Sequence, residues 1–380
     1  MRNIIYLVDE RYRGDDANAK TTAIEVHKYF EKAKLQVSNK DQVASMIEGD
    51  GKHTMVIAAG QHHIEILTQL RQTFTGLVTV SSSHQFYDDL LTLAESNEDP
   101  RTNVIALPKH VLGLLGIATV AALKDKTTLV QTIGVPHDVT PDAVMQAYAV
   151  NTLGIPDKAP YYVVMLGGDA PDSTGKQHYY TAEEASALGH YVAQIATSLN
   201  AFVLATNGPR TGKFNPEDGL ERQTHCNAGA KGRTEDDPLD EVSSAFLDAL
   251  RSHLSDDQYF WQDFRFLAHG VDSAWRSFLG AACTKLNSQL LVPGESTSMI
   301  DEARSVMPRG ADGQPSITMF STQSSNQTHE AHVRSIVDAG FANNLDATFT
   351  LHHPKACMQA ISNEAERIAD EVYQNIKQPS

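Results

Sequence analysis

The sequence predicts an α/β protein of two Rossmann-like, doubly wound domains facing a cleft. Three observations carry that prediction. Short apolar runs such as Ile4-Ile5-Tyr6-Leu7-Val8 and Thr54-Met55-Val56-Ile57-Ala58 are continuous rather than alternating, as strands covered on both faces of a parallel sheet require. Each run leads through a small polar loop into a segment of helical period. The same grammar then restarts after Gly154-Ile155-Pro156-Asp157-Lys158-Ala159-Pro160, a stretch of turn formers that reads as a linker.

The first strand, 4–8, is followed by the loop Asp9 to Asp16 and a helix from about Asn18 to Phe30. Further strands read as 54–58, 76–80, 103–107 and 128–133, with a helix ending near Gln72 and one apolar helix from His110 to Ala122. Thr140-Pro141 is an N-cap with proline at the first helical position, opening a helix to about Asn151. In the second half, the strand Tyr161 to Leu166 closes in Gly167-Gly168-Asp169, and Thr181 with Glu184 forms a capping box for a helix to about Leu199. The strand Ala201 to Ala205 ends in Thr206-Asn207-Gly208-Pro209-Arg210-Thr211-Gly212, and residues 212–238 are polar and glycine-rich, a loop by composition. Helices follow at about 238–254 and 272–285, strands at 288–292 and 316–320, and a long amphipathic helix at about 355–376. The domains are placed at 1–153 and 154–358, with the C-terminal helix, about 359–380, packing back on the first.

The 380 residues are 41% hydrophobic, enough for two cores. A net charge of −16, from 47 acidic against 31 basic residues, argues against nucleic acid as a partner. Cys226, Cys283 and Cys357 are odd in number and far apart, which speaks against a disulfide framework or a zinc site and for a cytoplasmic location. The longest apolar run, Val111 to Leu123, falls short of the roughly 18–20 residues of a bilayer span, so the expected membrane contact is peripheral at most.

Ligands of open α/β sheets bind at the carboxyl ends of the strands. Three second-half loops end there: Gly167-Gly168-Asp169, Thr206 to Thr211, and Gly294-Glu295-Ser296-Thr297-Ser298-Met299. In the last, Pro293 and Gly294 stop a strand and the hydroxyls of Ser296, Thr297 and Ser298 are expected to cap a helix whose N-terminus attracts phosphate. Glu302 lies one turn after Ser298, placed to accept hydrogen bonds from ribose hydroxyls. Small residues, hydroxyls, the Asn207 amide and the Arg210 guanidinium together suit a nucleotide diphosphate. A capped helix that binds nothing is the plainer alternative. Tyr259-Phe260-Trp261 reads as core packing before base stacking, and the adjacent His352-His353 with Cys357 as a poor metal set, because consecutive residues do not share a face. No metal ligand set and no cofactor is assigned.

The order of these motifs, from Gly134-Val135-Pro136-His137-Asp138-Val139-Thr140-Pro141 through Met165-Leu166-Gly167-Gly168-Asp169 and Thr206 to Thr211, to Gly294-Glu295-Ser296-Thr297-Ser298-Met299-Ile300-Asp301-Glu302-Ala303, resembles the mitochondrial-fission Elm family. That family has bacterial members and is similar to GT-B glycosyltransferases. The resemblance spans roughly residues 130–340, with Ser-Met-x-x-Glu-Ala its most specific element. Glu295 stands where an aspartate is usual, and Pro293 where a threonine is. The resemblance implies that Gly167 and Gly168 lie beside the donor diphosphate or sugar, Ser296 to Ser298 at the phosphates and Glu302 on the ribose. It implies a metal-independent transfer from a nucleotide sugar to an unknown acceptor, the first domain being the acceptor side. The base for the acceptor hydroxyl is then sought among Asp9, His62, His63, His84 and His137, with Asp9 and His137 favoured, and Arg13 or Arg210 as anion clamps. Alternative functions are an epimerase or hydrolase of sugar nucleotides, and a non-catalytic Elm-type scaffold that recruits a protein partner.

Overall fold

The computed structural model describes residues 1–9, 13–60, 63–83, 91, 103–150, 152–172, 175–222, 238–264, 274–310, 313–355 and 363–377. The chain forms two compact units, Met1–Asp138 with Ile361–Ser380, and Val139–Ala360.

Among the described residues, unit 1 holds a six-stranded parallel sheet in the order β2-β1-β3-β4-β5-β6. The strands are β1 (Asn3–Leu7), β2 (Lys34–Ser38), β3 (Thr54–Ala59), β4 (Val78–Ser82), β5 (Val104–Pro108) and β6 (Thr128–Thr132). β3 and β5 are buried at every residue, the signature of central parallel strands. The helix Arg13–Tyr29 and the last helix, Glu364–Lys377, cover one face: Ala23 and Val26 meet Ile368, Ala369 and Val372 over Ile4, Met55, Ile57, Val80 and Val104. The Glu364 carboxylate accepts the backbone N–H groups of Ile133 and Gly134, tying the helix's start to the end of β6. The apolar run expected as one helix is two, Lys109–Leu115 and Ile117–Lys124, because Gly116 takes φ 80° and interrupts the ladder.

Unit 2 carries, among its described residues, a seven-stranded sheet in the order β11-β10-β7-β12-β13-β14-β15, parallel except for its last pair. Its strands are β7 (Tyr161–Met165), β10 (Phe202–Thr206), β11 (Tyr259–Gln262), β12 (Gln289–Pro293), β13 (Ile317–Phe320), β14 (Asn343–Leu345) and β15 (Leu351–His352); β8 (Ala170–Pro171) and β9 (Gln177–His178) form a separate ribbon. Thr181 and Glu184 make a complete capping box for the helix Ala182–Leu199. That helix packs closely on Glu241–Arg251, since a Cβ on Gly189 would lie 2.5 Å from the Phe246 carbonyl oxygen.

The division between units falls at Asp138–Val139, earlier than the expected boundary after residue 153. The reason is packing. The helix Pro141–Val150 lies against Ala274–Thr284 so closely that a Cβ on Gly280 would sit 2.0 Å from the Val144 carbonyl oxygen. Proximity in space places this helix in unit 2, whereas turn formers alone placed the boundary at residues 154–160. Among the described residues no helix is long and apolar enough to cross a membrane.

Candidate functional site

In unit 2 the chain leaves β7 toward β10 and β11 on one side and returns through β12, β13 and β14 on the other. The strand order therefore reverses between β7 and β12, and the carboxyl ends of those strands flank the crevice where open α/β sheets take ligands. Gly167-Gly168-Asp169 follows β7 and Gly294-Glu295 follows β12.

Glu295 organises this point. It is 2% exposed; its Oε1 accepts the Gly168 N–H at 2.7 Å and its Oε2 accepts the Thr322 hydroxyl at 3.0 Å. Thr322 itself shares contacts with Ser324 Oγ at 2.9 Å and Ser325 Oγ at 3.1 Å. One carboxylate thus ties the loops after β7, β12 and β13. Burial pushes the Glu295 carboxyl above its ordinary range, against the pull of Arg210 and of the hydrogen bonds it accepts. A fourth loop closes on the same place: a Cβ on Gly168 would stand 2.8 Å from Arg210 Cβ, and the Asp169 N–H donates to the Arg210 carbonyl at 2.9 Å. Only glycine admits that approach.

The polar side chains of the loop after β10 are committed inward. Thr206 Oγ1 donates to the Gln262 carbonyl at 2.7 Å. Asn207 accepts the Phe264 N–H at 2.8 Å and donates to Ser243 Oγ at 3.0 Å, and Thr211 Oγ1 donates to the Gly167 carbonyl at 2.8 Å while accepting from Gly208 at 3.0 Å. All three are buried, so these bonds satisfy groups that would otherwise be costly. Asp169 acts likewise, accepting the N–H groups of Tyr180 and Phe214, each at 2.9 Å, with its carboxyl raised chiefly by burial. Arg210, by contrast, is exposed, and its Nη2 lies 3.5 Å from the Glu295 carbonyl.

That carbonyl leads into the helix Thr297–Val306. The expected side-chain cap is absent: Ser296 occupies the N-cap position at φ −99°, ψ 73°, away from the extended geometry of most caps, and its hydroxyl bonds no helix amide. The first i to i−4 bond is Ile300 N–H to Ser296 carbonyl, 3.1 Å, so the amides of Thr297, Ser298 and Met299 precede the ladder. The first turn carries no acidic residue, Ser298 is exposed, Met299 and Glu302 are half-buried, and Gly294 is held by its N–H to the Phe320 carbonyl at 2.9 Å. Behind them Asp301 and Arg304 form a buried ion pair at 2.8 Å.

Unit 1 has its own reversal, between β1 and β3. Asp9 follows β1, half-buried, and its N–H donates to Asp16 Oδ1 at 2.6 Å; burial is the first cause of a raised Asp16 carboxyl. His63 is buried with Nδ1 2.8 Å from the Ala59 carbonyl, and Asn18 donates to Ser82 Oγ at 3.2 Å. His137 is half-buried at the end of this unit. Every candidate base, Asp9, His63 and His137 among the described residues, therefore belongs to unit 1, and the predicted nucleotide-sugar residues to unit 2. His62, His84 and the Arg13 side chain lie outside the described residues, as does Cys357.

The other motifs resolve as packing. Tyr259-Phe260-Trp261 is β11, with Trp261 against Phe246 and Phe260 against Phe278. His352 pairs with Asp346 at 2.8 Å and His353 with Asn343 at 3.0 Å, two separate partners. The residues that sequence reasoning missed are Thr322, Ser324 and Ser325. Their signal was present, since Ser321-Thr322-Gln323-Ser324-Ser325-Asn326 repeats the pattern of turn formers between a strand and a helix.

No family model matches the chain. No curated protein matches it either. Among solved structures, it is similar to an alpha,alpha-trehalose 6-phosphate synthase from Burkholderia multivorans, at 10% identity and TM-score 0.44, over 97% of this chain and 74% of that one. It is also similar to a UDP-forming alpha,alpha-trehalose-phosphate synthase from Burkholderia xenovorans, in complex with glucose-6-phosphate, at 9% identity and TM-score 0.41, over 98% and 72% of the two chains.

Proposed function

We propose that the protein binds a nucleotide-diphosphate sugar at the reversal of its second sheet and acts as a metal-independent glycosyltransferase of GT-B type, with the Elm resemblance as its family reading. The observation that carries the proposal is the meeting of an exposed guanidinium, Arg210, with the uncapped N-terminus of Thr297–Val306 beside two glycines that let backbone approach closely. Cation and helix amides together are the donors a leaving diphosphate needs, which is why no metal is invoked. In this reading Ser296, Thr297, Ser298 and Met299 offer amides and hydroxyls to phosphate, and Glu302, one turn on, accepts from the ribose. Gly167, Gly168 and Gly294 give room. Thr206, Asn207, Thr211 and Glu295, whose side chains are spent on internal bonds, hold the loops in place and do not touch ligand. The base falls to unit 1, to Asp9 or His137.

That same inward commitment favours one second reading, an Elm-type scaffold that retains the architecture and recruits a protein. Melting the protein against a panel of nucleotide sugars separates the two. A transferase raises its melting temperature with one nucleotide class, and Glu302→Ala or Arg210→Ala lowers the affinity by roughly tenfold or more while the apo protein melts unchanged. No shift with any nucleotide selects the scaffold. Release of free nucleotide without an acceptor would instead indicate a hydrolase, and conversion of the nucleotide sugar to its stereoisomer an epimerase.

A further inference from the structure

The helix Ala182–Leu199 and the turn that follows the helix Glu241–Arg251 bring together two histidines 63 residues apart in sequence. His190 Nδ1 lies 3.1 Å from His253 Nε2, the rings are near-perpendicular at 72° with centroids 5.2 Å apart, and both residues are exposed. We propose that His190 and His253 form a chelating site for a divalent transition ion of the zinc, nickel or copper class.

Three observations support it. The first is the bite. Two imidazole nitrogens each about 2.0–2.1 Å from a metal lie roughly 2.9–3.4 Å apart, from the right angle of an octahedron to the wider angle of a tetrahedron. The observed 3.1 Å falls inside that window without moving either helix. The second is rigidity. His190 follows Gly189, whose missing side chain permits the close helix contact: a Cβ there would meet the Phe246 carbonyl at 2.5 Å and Ala249 Cβ at 2.8 Å. His253 is fixed from the other side, by its N–H to the Leu250 carbonyl at 3.1 Å and by the burial of Leu254. The pair is held before any ion arrives, which lowers the ordering cost of binding. The third is charge: a chain of net charge −16 concentrates cations at its surface.

The donors set the selectivity. Imidazole suits zinc, nickel and copper, whereas magnesium and calcium demand oxygen. Among the described residues no third His, Cys, Asp or Glu joins the pair, so water completes the coordination and the ion stays exchangeable. In the metal-free pair one facing nitrogen carries the shared proton and the other accepts it. Chelation needs both lone pairs, so the donor ring passes that proton to its second nitrogen through solvent and no net proton is released. The bound ion then ties the helix Ala182–Leu199 to the turn after Glu241–Arg251 and stabilises their contact.

Calorimetric titration of the full chain with zinc chloride, with nickel chloride in parallel, tests this. Because the chain has 16 histidines, the readout is the difference between wild type and variants. His190→Ala and His253→Ala should each lower the affinity of one site at least tenfold and abolish the zinc-dependent rise in melting temperature, and magnesium should produce neither effect. His190→Gln and His253→Gln, close in volume, separate loss of ligand from loss of packing: their metal-free melting should match wild type while the zinc response disappears. Variants that bind zinc as wild type does would overturn the proposal, as would an equal response to magnesium.

Discussion

Glu295 has both carboxylate oxygens occupied and almost no exposure, and burial outweighs Arg210 in setting its titration. A carboxyl whose folded pKa is raised contributes stability that is complete below its unfolded value, near 4.5, and is lost as pH climbs through the raised value. Glu295→Gln keeps an acceptor for Gly168 and presents an amide to the Thr322 hydroxyl without titrating. Its melting temperature relative to wild type should therefore rise as pH climbs above about 4.5, and a flat difference would remove the titration argument. Asp169, also raised by burial, titrates in both proteins and cancels. In the sequence, Glu295 stood among hydroxyls and read as part of a ligand shell. Its role as a brace was illegible because Thr322 and Gly168, the groups it joins, are far from it along the chain and only the sheet order brings them together. The same holds for Asn207, whose partners Ser243 and Phe264 belong to elements that no local pattern pairs with it.

Elements were legible where burial wrote a strong pattern. The capping box at Thr181 and the continuous apolar β3 and β7 are read from the residues directly. β2 escaped because it is an edge strand, Lys-Leu-Gln-Val-Ser, with only Ser38 buried, so neither a continuous nor an alternating run marks it. β14, three residues long, escaped for want of length. Helix contacts leave their trace in glycines. Gly280→Ala would drive a methyl into the Val144 carbonyl, and the two helices must separate to admit it. Destabilisation of about 3 kcal/mol, at the upper end of ordinary overpacking, is expected in denaturant unfolding. A change below about 0.5 kcal/mol would mean that this helix pair is not held as tightly as described.

At the scale of the whole molecule, the two-unit division was readable from the restart of the strand–helix grammar, but its position was not, because a linker-like composition at residues 154–160 is local and the Pro141–Val150 contact is not. The last helix completes the core of unit 1 through Ile368, Ala369 and Val372, each fully buried. Ile368→Ala should cost about 2–5 kcal/mol, and the loss should appear in hydrogen exchange as faster opening of β1 and β3 with the unit 2 strands unaffected. Equal acceleration in both units would indicate one cooperative body.

The return of Glu364–Lys377 to unit 1 also sets an order of events during synthesis. At about 5–20 residues per second, the ribosome needs roughly 10–45 s to emit the stretch between the two parts of unit 1. Throughout that interval Ile4, Ala23 and Val26 lack their cover, while residues 139–360 emerge as an uninterrupted segment. The nascent chain therefore completes its second unit first and leaves the apolar floor of unit 1 open until Glu364–Lys377 emerges.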